Sequence, residues 1–248
     1  MSGHSKWSQI KRKKGLKDQQ KGALFSKLSR LISLAVSESG ISDPDNNIRL
    51  RMAIFQAKNA NMPKENITRA IEKGSGPDKE RLQELIYEGF GPSGSVFIIY
   101  TTTDNQTRTH TELKHAFEKN NGKIGSQGSV AYLFKKCGLL VINKELELEE
   151  TIFKFADFIN AFDIDEDQEN FFIYFPFENI GKAHDNNILK TEASPELDFK
   201  PLAYVKINEE QTAKKILNLV SQLESIDDVH KVFSNFDIPE DIMKNLES

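Results

Sequence analysis

The chain has one cysteine, Cys137, one tryptophan, Trp7, and no apolar run near the length of a membrane span. A single cysteine excludes an intrachain disulfide, a zinc ribbon and a CxxC redox motif, and it fits a reducing cytoplasm. The longest apolar stretches, such as Val96 to Tyr100, fall far short of the roughly 20 residues that cross a bilayer. The amino terminus is basic and lacks an apolar signal core. The expectation is a cytoplasmic protein, with neither secretion nor membrane contact. Histidine is also sparse, and the five present (His4, His110, His115, His184, His230) show no metal-ligand spacing.

What is present is globular material: 248 residues, 38% hydrophobic and 28% charged, enough for two or three small cores. The net charge of −4 averages two unlike parts. Residues 1–79 hold 16 Lys and Arg against 7 Asp and Glu, a net +9, while residues 80–248 hold 17 against 30, a net −13. A basic lobe is the electrostatic footprint of a polyanion binder, and an acidic remainder confines that contact to one end.

The first 22 residues are lysine-rich and poor in large apolar side chains, which predicts an arm that orders on its partner. From Ala23, Leu24, Leu28, Leu31 and Ala35 recur at helical spacing up to Gly40. A second helix follows Asp43-Pro44-Asp45 and buries Leu50, Ile54 and Ala57. A third runs from Pro63 to Lys73, with Asn61 as its cap and Gly74 as its stop. Past the linker Gly74 to Asp78 the vocabulary becomes β-branched and aromatic. Strands are expected at 85–90, 96–103, 130–134, 139–143, 171–175, 202–207 and 229–233. Helices are expected at 109–120, through a Thr109-x-x-Glu112 capping box, at 147–162 and around 213–223. This order gives an α+β multidomain class, an all-helical domain followed by small antiparallel α+β domains.

Several familiar chemistries are suggested and fail. Gly89-Phe90-Gly91-Pro92-Ser93-Gly94 matches G-x-G-x-x-G, but a strand follows where a dinucleotide site needs a helix, so it reads as a hairpin turn. Asp163, Asp165 and Asp167 resemble the start of a calcium loop, yet Gln168 replaces the required glycine and Tyr174 the closing acid, leaving a solvated acidic loop. No cofactor, no metal and no small-molecule substrate are expected, and the chain reads as non-catalytic. A metal-dependent nucleic-acid-processing enzyme built on Asp163 to Glu169 is the remote alternative, and a protein adaptor using Phe171, Phe172, Phe175 and Phe177 is another.

Ser2-Gly3-His4-Ser5-Lys6-Trp7, Ile10-Lys11-Arg12-Lys13-Lys14, Lys58-Asn59-Ala60-Asn61-Met62-Pro63-Lys64 and Tyr87-Glu88-Gly89-Phe90-Gly91-Pro92 together resemble the YebC family. Thr103-Asp104-Asn105 with Arg108, and Gly125 through Gly128-Ser129-Val130, extend the resemblance, which is close from Met1 to about Leu140 and looser beyond. It implies a transcriptional regulatory protein, and the mitochondrial relatives of that family imply a translational activator. It also implies three domains: a helical domain over 1–79, a middle α+β domain over 80–131 and 203–248, and an acidic α+β domain over 132–202 inserted into the middle one.

The residues that would carry nucleic-acid binding are His4, Lys6, Trp7, Lys11, Arg12, Lys13, Lys14, Lys17 and Lys21 of the arm, with Arg30, Lys58, Lys64 and Arg69 on the helical lobe. Trp7 suits either stacking on an unpaired base or packing the arm on the helical domain. Tyr87, Glu88, Asp104, Asn105 and Arg108 form a candidate partner surface, although Asx residues also build turns and caps. The partner is DNA, or ribosomal RNA within the ribosome; the sequence does not choose, and it leaves the oligomeric state open.

Overall fold

A computed structural model describes residues 18–76, 82–191 and 194–247. In chain order its first elements are α1 (Asp18–Ser39), α2 (Ile48–Asn59), α3 (Lys64–Ser75), β1 (Gln83–Phe90), β2 (Val96–Thr103), α4 (Gln106–Lys119) and β3 (Lys123–Ile124). There follow β4 (Phe134–Asn143), α5 (Glu149–Phe158), β5 (Asp163–Glu166), β6 (Asn170–Pro176), α6 (Ile180–His184) and β7 (Glu196–Pro201). The last are β8 (Val205–Lys206), α7 (Glu210–Ser225), β9 (Val229–Ser234), β10 (Phe236–Asp237) and α8 (Glu240–Glu247). The class is α+β, with helices first and antiparallel sheets after. Contacts separate residues 134–200 as one compact unit from a second made of the residues on either side.

In the second unit, the stripe beginning at Leu24 packs α1 on its neighbours. Leu28, Ile32, Ala35 and Val36 are buried against Leu50, Ala53 and Ala57 of α2 and Ile67 and Ala70 of α3. The side chain of Asn47 caps α2, accepting from the amide of Leu50 at 3.1 Å and donating to the carbonyls of Ala35 and Ile41, both at 2.9 Å. Two details of the sequence reading change here. Asn61 does not cap α3; it turns the chain at φ 58°, and Pro63 occupies the cap position without a side-chain bond. Gly74 does not stop the helix, which continues to Ser75. It lets α3 approach α1, because a Cβ there would lie 2.5 Å from the carbonyl oxygen of Ser33.

The same unit holds a four-stranded sheet of order β3-β1-β2-β9 and a short parallel pair, β8 with β10. Phe97 and Ile99 of β2 pack beneath Leu113 and Phe117 of α4 and Ile216, Leu219, Val220 and Leu223 of α7. The glycine-rich segment joins β1 to β2 as an antiparallel hairpin in register Phe90↔Val96. A Cβ on Gly89 would fall 2.3 Å from the ring of Phe117, so this glycine is required for packing against α4. Helix α4 begins three residues before the expected Thr109, because Asn105 caps it by accepting from the amide of Arg108 at 3.0 Å.

In the unit of residues 134–200 the sheet order is β5-β6-β4-β7. The expected strand at 130–134 is a 3-10 turn, Ala131–Leu133, and β4 starts at Phe134. Helix α5 is shorter than the expected 147–162, leaving Leu148 and Phe162 outside it. Ile152 and Phe155 of α5, with Ile159 just past its end, pack on Leu140, Ile142, Phe171, Ile173 and Phe175. Phe172 and Tyr174 fill the opposite face with Cys137 and Leu139. The phenylalanine run is thus core on both faces, which removes Phe171, Phe172 and Phe175 from any exposed adaptor surface. The expected acidic loop is strand β5, with Asp163 and Asp165 held 2.5 and 3.0 Å from the ammonium of Lys200.

Replacing Gly89 with alanine should destabilise the protein by roughly 1–3 kcal/mol, since Phe117 has no room to retreat in its core. Urea unfolding measures this, and an unchanged midpoint would contradict the packing role.

Candidate nucleic-acid interface

The helical segment meets the sheet through a polar joint. Its centre is Asp228, at the entry of β9, whose side chain is 2% exposed. The carboxylate accepts hydrogen bonds from Thr109 Oγ1 at 2.6 Å, Thr103 Oγ1 at 3.1 Å and Arg108 Nη2 at 2.8 Å, and it pairs with Arg30 of α1. Burial alone would raise its pKa; hydrogen bonds from Thr109, Arg108 and Arg30 outweigh that and hold the carboxyl below the ordinary aspartate value of 3.8. Nearby, Lys27 donates to the carbonyl of Glu224 at 2.5 Å. Arg49 of α2 bridges Glu38 of α1 and Glu84 of β1, and Glu84 also accepts the hydroxyl of Tyr100. Burial, then Glu84, raises the Tyr100 pKa, so that hydroxyl stays a donor.

His230 lies in the same joint, with its ring centroid 5.8 Å from that of Tyr100 and its Nε2 buried without a hydrogen-bond partner. Burial, reinforced by the cations of Lys27 and Arg30, pushes this imidazole down to about 3. It is therefore neutral under ordinary conditions.

Three cations of the basic lobe, Lys27, Arg30 and Arg49, are thus engaged within the fold. Arg30, expected on the nucleic-acid surface, is half-buried and satisfied by Asp228, and this assignment is corrected. The candidate partner surface is also revised. Glu88 is 3% exposed and accepts from the amides of Gly128, Val130 and Ala131 at 2.6, 2.6 and 2.9 Å, pinning the loop from Gly125 to Ala131. Arg108 joins Asp104 to Asp228, Asn105 is a helix cap, and Tyr87 touches the Gln106 carbonyl at 3.3 Å and the His110 ring. These residues build the frame around α4. Two stretches that carried the family resemblance, around Glu88 and around Gly128, meet in one loop anchor.

What faces outward is a smaller set. Lys58 ends α2, and Lys64 and Arg69 lie on α3; all three are exposed, and among the described residues none of the three has a carboxylate partner. Lys64, Thr68 and Arg69, with Glu65 and Glu72, line a shallow groove of about 550 Å³. Lys21 is exposed on α1. His4, Lys6, Trp7, Lys11, Arg12, Lys13, Lys14 and Lys17 lie outside the described residues. Helices α2 and α3, twelve residues each, are joined by the four residues 60–63, a length shared with helix-turn-helix connections. Asn61, not glycine, takes the positive φ of this connection. Among the described residues no helix is long and apolar enough to cross a membrane, and no three His, Cys, Asp or Glu side chains converge as metal ligands.

Comparison with known proteins places this geometry among relatives. Residues 5–77 match the family description "TACO1/YebC protein N-terminal domain", and residues 82–236 match "TACO1/YebC second and third domain". A protein of Aquifex aeolicus named "Probable transcriptional regulatory protein" is 42% identical over 251 residues, covering 99% of this chain and 100% of the relative. One of the same name from Persephonella marina is 40% identical over 255 residues, with 99% and 100% covered. The crystal structure of a conserved hypothetical protein from Aquifex aeolicus superposes with a TM-score of 0.81 at 40% identity, over 90% of this chain and 93% of that one.

Two stability measurements test the joint. Asp228→Asn strips Arg30 of its carboxylate and should cost roughly 2–4 kcal/mol, moderated because Arg108 remains hydrated. In the unfolded chain His230 takes up its proton near the ordinary 6.5, whereas folded it does so only near 3. The stability it supports is full above 6.5 and declines as pH falls toward 3, by at most about 1.4 kcal/mol per pH unit. Asp228 adds its own loss only as pH falls below 3.8. Urea unfolding from pH 7 to 4 should therefore be flatter for His230→Gln than for wild type, and parallel curves would contradict the buried neutral imidazole.

Proposed function

Because the chain belongs to the TACO1/YebC family, we propose that it is a non-catalytic, nucleic-acid-binding regulator of gene expression that grips a phosphate backbone with its basic amino-terminal lobe. The observation that carries this reading is the separation of charge. Residues 1–17 hold six Lys and Arg and no acid, Lys58, Lys64 and Arg69 add outward cations, and residues 80–248 are net −13. A polyanion is attracted to one end and repelled from the rest. The name "Probable transcriptional regulatory protein" borne by the relatives supports a regulatory role, for which DNA is the polyanion of our first reading.

Lysine contacts to phosphate fix position and carry no base information. Of the outward set on α2 and α3, Arg69 alone has the planar fork that reads guanine bidentately. That poverty of base-reading groups favours a second reading, in which the same lobe holds ribosomal RNA as part of a translation factor.

Replacing Lys11, Arg12, Lys13 and Lys14 with alanine should weaken binding to unrelated duplexes alike and flatten the log K against log salt slope by about 3 to 4. Fluorescence anisotropy across salt measures this, and unchanged affinity would sink the assignment. Density-gradient sedimentation with ribosomes near physiological salt separates the two readings. Comigration that depends on these four residues makes the translation factor correct; absence from ribosomal fractions, with salt-sensitive retention on duplex DNA, makes the transcriptional role correct.

A further inference from the structure

The unit of residues 134–200 carries 7 Lys against 15 Asp and Glu, a net −8, so it holds most of the acidic excess of the chain. Its lysines are spent in a recurring way. Lys135 lies 3.4 Å from the ring centroid of Phe162, Lys200 3.7 Å from Tyr174, Lys182 4.2 Å from Phe158, Lys136 4.6 Å from Phe177 and Lys144 4.9 Å from Phe171. Lys144 and Lys200 also pair with carboxylates, and Lys154 pairs with Glu150 at 2.6 Å. The exposed rings of Phe158 and Phe162, and the edges of the buried Phe171 and Tyr174, are thus each covered by an ammonium, which draws attraction from the ring quadrupole and shields apolar surface with its methylenes.

Phe153 breaks this pattern. It stands on the outer side of α5, 54% exposed, and among the described residues no cation covers its ring. Glu149 and Asp157 lie four residues before and after it, so the three form one row along the helix, apolar in the middle and acidic at both ends. Leu146 and Leu148, just ahead of the helix, are 59% and 72% exposed. The aromatic core of the unit needs none of these side chains.

We infer that this face of α5 docks a lysine- or arginine-rich protein segment with apolar side chains of its own, whose cation covers the ring of Phe153 between Glu149 and Asp157. Charge complementarity selects this occupant. A nucleic acid is repelled by the net −8 of the unit, and a purely apolar partner would leave both flanking carboxylates desolvated without a counter-charge. The surrounding lysine–ring pairs show the same chemistry completed within the chain. The inference stands apart from the nucleic-acid reading, since it uses none of the basic residues of the amino-terminal lobe.

The test titrates the full chain into a fluorescently labelled peptide of alternating lysine and leucine, with a matched uncharged glutamine–leucine peptide as control, and reads anisotropy. The lysine peptide should bind and the glutamine peptide should not. Phe153→Ala should weaken binding about tenfold, and Phe153→Leu, which keeps apolar bulk without the ring face, should also fall short of wild type. Glu149→Gln with Asp157→Asn should weaken binding and reduce its salt dependence. Since these side chains are exposed, the unfolding midpoint should not move, which separates lost docking from lost folding. Equal binding by wild type and all variants, or equal binding of both peptides, overturns the inference. So does concentration-dependent self-association of the full chain that Phe153→Ala abolishes, because that would assign the face to a second copy.

Discussion

The carboxylate of Asp228 is buried at the place where the first helix, the fourth helix and the ninth strand converge, and a charge in that position is tolerated only with several donors. Two threonine hydroxyls and two guanidinium groups supply them. Because one guanidinium belongs to Arg30 of the helical segment, satisfying the carboxylate also fixes that segment on the sheet. The neighbouring bonds of Arg49 to Glu84 and of Lys27 to the Glu224 carbonyl run in the same direction. A neutral His230, a Tyr100 held as a donor and the depressed Asp228 are three consequences of one polar joint, whose acid and imidazole are buried while its guanidinium groups reach water.

This joint changes what a basic lobe means. Positive charge counted along the sequence mixes cations that hold the fold with cations left for a ligand. Arg30, Arg49 and Lys27 belong to the first kind, whereas Lys58, Lys64 and Arg69 belong to the second. The acidic unit shows the mirror case, with lysines laid over phenylalanine and tyrosine rings and the carboxylates of Glu149 and Asp157 left outside. In both places charge is first used locally, and what remains exposed decides which partner approaches.

Much of this was legible in the sequence. The Leu24, Leu28, Leu31 and Ala35 stripe marks α1, the β-branched run at Val96 to Thr103 marks β2, and the glycine-rich hairpin was separable from a nucleotide site because a strand follows it. Periodicity reports burial within one element, so these held. It does not report which distant side chain an exposed-looking polar residue will meet. Arg30 and Asp228 are 198 residues apart, and nothing local sets Asp228 apart from Asp227 beside it. Glu88 reads as a surface acid until the Gly128 loop, 40 residues on, closes over it. Gly74 reads as a helix stop because its packing against Ser33 is tertiary. The phenylalanines from 171 to 177 attracted attention as a cluster, whereas Phe153, two residues before the buried Phe155, is exposed on a helix face and, among the described residues, has no cation over its ring.

The sorting of inward from outward cations is tested most directly by comparing Arg30→Gln with Lys64→Ala/Arg69→Ala in duplex binding across salt, alongside urea unfolding. Arg30→Gln should lower stability and leave the salt slope unchanged, while the Lys64/Arg69 pair should flatten the slope by about 2 and leave stability near wild type. A flattened slope for Arg30→Gln without loss of stability would contradict the account, because it would mean that Arg30 meets the phosphates and that Asp228 does not hold it.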